Sequence, residues 1–196
     1  MGNSVSASNF DFREPCRSRL IGRWWSPPWN PSIAPLNEPV VIAELIAANN
    51  PAARPVSVDE LTVRFLSENG VPEWIVRSLT ATAYDEWMPL QNHFIAPVNQ
   101  LPDLNNEDLY RPWFQRRYLT IGGGLNGDPI AIDLNTHRMC FLFHDEMYPR
   151  KNYLPDDFVL HTPLTYTEFW TGVANDPFFP VDAHEAEERW GRPPRS

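Results

Sequence analysis

Cysteine is scarce in this sequence, and the shortage excludes a whole class of folds. Two cysteines, Cys16 and Cys140, are too few for a disulfide framework. Cys140 lies inside an apolar run and reads as a buried thiol. Long hydrophobic runs are absent as well. No stretch approaches the ~18 consecutive apolar residues of a membrane span, and no basic start, apolar core and small-residue cleavage site marks a signal peptide. The expectation is a soluble, cytoplasmic protein. Lysine is nearly missing: of 16 basic residues, 15 are arginines and one is Lys151. Against 25 acidic residues the formal charge is -9. That balance argues against nucleic acid or an anionic membrane as the main partner. It suits a basic protein surface, or simply solubility.

The usual signatures of chemistry are missing too. No Gly-Lys-Ser/Thr follows the glycines, so there is no P-loop. There is no G-x-S-x-G elbow, and neither cysteine has a histidine beside it. His144, Asp145 and Glu146 cluster at a strand end and, with His137 or His161, are the candidate metal ligands. A zinc site needs three or four convergent ligands, and no HExxH or CxxC spacing supports one here. His184, Glu187 and Glu188 share a helical face that reads as solvated. Carboxylate pairs are plentiful but unplaced, which gives a glycosidase assignment nothing to stand on. No catalytic residue, cofactor or metal is therefore expected, and the expectation is a non-enzyme.

What the chain does have is a core. Hydrophobic residues make up 42% and aromatics 13% of 196 residues, enough for one domain with an extension. The organising stretch is Tyr118 to Glu146, YLTIGGGLNGDPIAIDLNTHRMCFLFHDE. Gly122, Gly124 and Gly127 spell G-x-G-x-x-G after a strand. A dinucleotide site needs a helix next, whose N-terminus receives the pyrophosphate. Asp128-Pro129 and a strand of period two follow instead: Ile130, Ile132 and Leu134 alternate with Ala131 and Asp133, the mark of a half-buried strand. The glycines read as turn or bulge residues that permit positive φ. Met139 to Phe143 is apolar throughout and reads as a central strand. Short connections make the three strands antiparallel.

Around this centre the pattern predicts mostly helices. Pro39–Asn49 is a short one, with Val41, Leu45 and Ala48 on one face. Ser57, with Glu60 three residues on, begins a second that presents Val58, Leu61, Phe65 and Leu66 to the core. Asn69-Gly70 stops it and Val71-Pro72 starts a third, carrying Trp74, Ile75 and Leu79. Phe94–Ala96 and Phe158–Leu160 read as strands. Residues 101–114 read as loop and short helix. Thr165 and Glu168 have capping-box spacing ahead of Phe169, Trp170 and Val173, and Ala183–Trp190 is a charged helix. The domain expected is 56–190, after a Pro/Trp-rich extension over 1–55 and before a disordered tail, 191–196. The extension carries Trp24, Trp25 and Trp29, and reads as an arm packed on its own domain. Gly2 with Ser6 matches an N-myristoylation pattern.

The order of these elements resembles the SUKH superfamily, which includes fungal cell-wall-synthesis regulators and bacterial toxin-immunity proteins. The resemblance rests on the Gly70-Val71-Pro72 joint between two helices, then on strand Tyr118–Ile121, the corner Gly127-Asp128, strand Ile130–Asp133, strand Met139–Asp145 and a closing helix at Tyr166–Trp170. It spans about residues 57–175. The chain departs from the pattern in lacking an Asn-Gly-Gly motif over Thr80–Asp85, and in the extension before Pro51. The resemblance implies an α+β fold, a mostly antiparallel sheet flanked by helices. It also implies a non-catalytic module that binds a protein, often a toxin domain. The acidic residues that would meet a basic toxin surface are Asp103, Glu107, Asp108, Asp145, Glu146, Asp156 and Asp157. Two other readings stand beside it: a regulatory scaffold held at a membrane by an acyl group on Gly2, and an enzyme with a site near the glycine loop.

Overall fold

The computed structural model describes residues 38–147 and 154–192. Gly2, Ser6, Cys16, the three tryptophans of the extension and residues 193–196 lie outside the described residues. The protein is α+β, with a six-stranded antiparallel sheet and helices packed around it.

Helix α1 (Glu38–Asn49) buries Ile42 and Ile46, one turn apart, against helices α3 (Glu73–Ala81) and α7 (Tyr166–Asn175). Leu45 is half-buried, while Ala48, expected on the same face, is exposed. Helix α2 (Glu60–Glu68) is capped by Asp59, whose carboxylate accepts from the Thr62 amide at 2.6 Å, and not by Ser57. The Ser57 carbonyl is instead held by the Asn99 side chain at 3.1 Å. Thr62 and Leu66 face inward, while Leu61, expected in the core, is 70% exposed. Asn99 also accepts from the Asp59 amide at 3.0 Å, and this clamp across the chain places Asp59 rather than Ser57 at the cap. Gly70 follows with φ +68, the left-handed residue that lets α3 begin at once.

The strands run in sequence order across the sheet: β1 (Met88–Leu90), β2 (His93–Ile95), β3 (Tyr118–Gly124), β4 (Pro129–Asp133), β5 (Arg138–Leu142) and β6 (Val159–His161). Strand β1 had no sequence signal, because a proline stands in the middle of its three residues. Proline in a sheet belongs at an edge, which is where Pro89 sits. Strand β2 leaves β3 after Ile95 pairs with Gly122. Beyond a last bond from the Ala96 amide to the Ile121 carbonyl at 2.9 Å, Thr120 on that β3 edge is paired by a side chain. Asn105, fully buried in α4 (Leu101–Asn106), accepts from the Thr120 amide at 2.8 Å and donates to the Thr120 carbonyl at 2.9 Å. Its carboxamide takes the place of one residue of a neighbouring strand, and its second N–H goes to Leu101. The short helix α5 (Arg111–Phe114) completes this connection, where sequence suggested loop and one short helix.

Strand β4 is buried on both faces and not half-buried as its alternation suggested. Ala131 is small enough to be covered. Asp133 is satisfied locally, accepting from the Asn135 amide at 2.8 Å and the Thr136 hydroxyl at 2.7 Å. In β5 the neighbours Cys140 and Phe141 are both fully buried, so that strand too is covered on both sides. Phe141 packs against Phe169 of α7, with ring centroids 5.5 Å apart and the planes tilted by 52°. Thr165 caps α7 in a full capping box with Glu168. Helix α6 (His144–Met147) follows β5, and helix α8 (Ala183–Trp190) packs on β5 and β6.

Candidate functional site

Gly122, Gly123 and Gly124 belong to strand β3 and are not a loop. Two of them are glycine because another backbone passes too close for a side chain. A Cβ on Gly122 would stand 2.4 Å from the Phe94 carbonyl oxygen, and one on Gly124 would stand 2.2 Å from that of Val181. A bulge at Ile121 shifts the β3–β4 register between Thr120 and Gly122. Only Gly127 in this group has positive φ, at +92. Of the three, the expectation of a glycine that permits positive φ therefore holds for Gly127, while Gly122, beside the bulge, and Gly124 are explained by close packing of another backbone.

Asp128 follows this turn and is 2% exposed. One carboxylate oxygen accepts from His144 Nδ1 at 2.7 Å. The other accepts from the Ala183 amide at 2.9 Å and the Asn126 side chain at 3.0 Å. One side chain thus ties the β3–β4 turn to the first residue of α6 and the first residue of α8. The other ring nitrogen of His144, Nε2, lies 2.9 Å from the exposed Asp145 carboxylate. The array Asp128–His144–Asp145 thus links two carboxylates through one imidazole ring. The fully buried thiol of Cys140, pushed up by desolvation, is held as a neutral group.

The acidic residues singled out from sequence fall along elements that touch one another: α4 packs on α5, α5 on the 3₁₀ turn 155–158, and α6 on the same turn. Asp103, Glu107 and Asp157 have no side-chain partner among the described residues. The others are engaged. Asp108 pairs with Arg111 at 3.1 Å, and Asp156 bonds Tyr118 and lies 3.8 Å from Arg116. Glu146 takes both terminal nitrogens of Arg192, at 3.2 and 3.4 Å. Arg192 also donates to the Asp157 carbonyl and lies 4.0 Å over the Phe143 ring. Arg192 was assigned to a disordered tail; it is instead docked, with its side chain 12% exposed. A cationic residue among Gly and Pro gave no periodic signal to read.

His137 sits in the β4–β5 turn with φ +57, and His161 ends β6, 3.6 Å from Asp133. Neither joins His144. Among the described residues no group of three or more His, Cys, Asp or Glu is placed to hold a metal ion. No helix there is long and apolar enough to cross a membrane. The chain matches no protein-family model, no curated protein and no solved structure.

One buried titratable group went unnoticed in the sequence. His93 is 1% exposed, and its Nε2 lies 2.9 Å from the Pro180 carbonyl. The rings of Phe141, Phe169 and Phe179 surround it. Desolvation lowers its pKa to about 4, against the opposing pull of the Pro180 carbonyl and the Glu185 charge. The unfolded chain protonates His93 near pH 6.5 and the folded one only near 4. This contribution to stability is present above pH 6.5 and is lost as pH falls from 6.5 towards 4, by about 3 kcal/mol in total. Urea unfolding of His93→Gln, which keeps an N–H for Pro180, is expected to show a shallower loss between pH 7 and 4.5 than the parent. Equal slopes would contradict the assignment.

Proposed function

We propose that the chain is a non-catalytic, cytoplasmic protein-binding module, an immunity-type protein of SUKH character that masks a basic surface on a toxin domain. The observation that carries this reading is that the acidic residues of α4, the turn after it, the 155–158 turn and α6 lie on elements joined to one another through α5, on a chain of net charge -9. Charge of one sign on one surface speeds encounter with a partner of the opposite sign and suppresses wrong partners. The reading is also supported by the α+β architecture that the SUKH resemblance implies. The buried free thiol of Cys140 fits a reducing compartment.

The test is capture from source lysate at low and high salt, with the wild-type chain and a variant carrying Asp103→Asn, Glu107→Asn and Asp157→Asn. These three carboxylates make no side-chain hydrogen bond or ion pair among the described residues, so the substitutions are expected to keep the fold. The expected result is a basic protein retained at low salt, released at high salt and reduced on the variant. No captured protein, or capture indifferent to both salt and variant, would overturn the reading.

A further inference from the structure

Away from the acidic run, α1 ends beside the edge strand β1. Between them lies a groove of about 420 Å³, lined by Asn49 to Ala53 and Glu86 to Pro89. That volume is in the range of ligand pockets, about 300–1,000 Å³. We propose that the groove takes an arginine side chain presented by a protein partner. This rests on the protein-binding reading above and adds a second contact to it.

Each part of the lining favours a cation. The groove adjoins the C-terminal end of α1, where unsatisfied carbonyls carry partial negative charge. The last turn of α1 has no basic residue, and Pro51 has no N–H to offer the Ala47 carbonyl. Glu86 is exposed and makes no hydrogen bond or ion pair among the described residues. Trp87 is 41% exposed, with no ring or hydrogen-bond partner among the described residues. Asn49 and Asn50 direct their amide N–H groups to the carbonyls of Leu45, Ile46 and Pro89, which leaves their oxygens as acceptors. No lining residue is basic. Arg54, next along the chain, is exposed and makes no ion pair with Glu86.

The same residues narrow the choice of occupant. A peptide cannot extend the sheet here, because Pro89 has no N–H and its carbonyl is taken by Asn50 at 2.7 Å. Recognition must therefore run through a side chain. A second copy of this chain is disfavoured, since it brings the same charge of -9. Arginine fits better than lysine: a planar guanidinium stacks on an indole while its edge donates to a carboxylate.

The test uses the full chain labelled with ¹⁵N and the probe acetyl-Gly-Arg-Gly-amide, with the neutral citrulline peptide as control. The expected result is a saturable shift of the Trp87 indole N–H and of the amides of Asn50, Ala52 and Ala53. Glu86→Gln is expected to weaken binding by about threefold, the size of an exposed charge pair, and citrulline to give no saturable shift. No saturable shift from the arginine probe, an equal one from citrulline, or indifference to Glu86→Gln would overturn the proposal. Lysate capture is scored on variants of the acidic run, so failure of the groove and failure of the protein-binding reading are separate results.

Discussion

Gly124→Ala is expected to destabilise the protein by about 3 kcal/mol or more, and Gly123→Ala by less than about 1 kcal/mol. The two glycines are adjacent in one strand, and intrinsic propensity favours alanine equally at both. They differ in what stands opposite. An added Cβ at Gly124 meets the Val181 oxygen at 2.2 Å, whereas at Gly123 the nearest atom is the Asp128 oxygen at 3.7 Å, an ordinary contact. The segment around Val181 has little room to retreat. It is pinned on one side by Pro180 on His93, at 2.9 Å, and on the other by Ala183 on Asp128, also at 2.9 Å. Urea unfolding of the two variants measures the difference. Equal losses would mean that Gly124 is not glycine for reasons of space.

Asp128→Ala is expected to cost about 3 kcal/mol, the scale of leaving buried hydrogen-bond donors without their acceptor. Three donors lose their acceptor together: His144 Nδ1, the Ala183 amide and the Asn126 side chain. Domains have about 5–15 kcal/mol of stability in all, so the loss is a large fraction of the total and is read directly by urea unfolding. A drop of under about 1 kcal/mol would remove Asp128 from its structural role.

Much of the fold was legible because helix signals and apolar runs are local. Thr165 with Glu168, Asn69-Gly70 and the limits of α8 could all be read from neighbours in sequence. The errors came from contacts made across the chain. Ser57 and Asp59 both look like caps, and only the tertiary position of Asn99 separates them. Strand β1 exists because β2 pairs with it and Asn50 closes it, neither of which three residues can announce. For β4, period two reported the residue types correctly but not the cover over Ala131 and Asp133.

The candidate site was less legible. His144, Asp145 and Asp128 were visible as residues, but their partnership spans about 16 positions and joins two turns. The glycine count suggested a cradle, when the cause of Gly124 lies at Val181, 57 residues on. Glu86 and Trp87 became conspicuous only through what they fail to touch.

The most direct test of the joint at Asp128 is amide hydrogen exchange on the full chain carrying Asp128→Asn, which keeps the shape and removes the charge. The expected result is faster exchange at Ala183 and in the first turns of α8 and α6, with the β3–β4 ladder amides still protected. Unchanged protection at Ala183 would contradict it, and would return the Gly-Asp corner to the list of possible ligand sites.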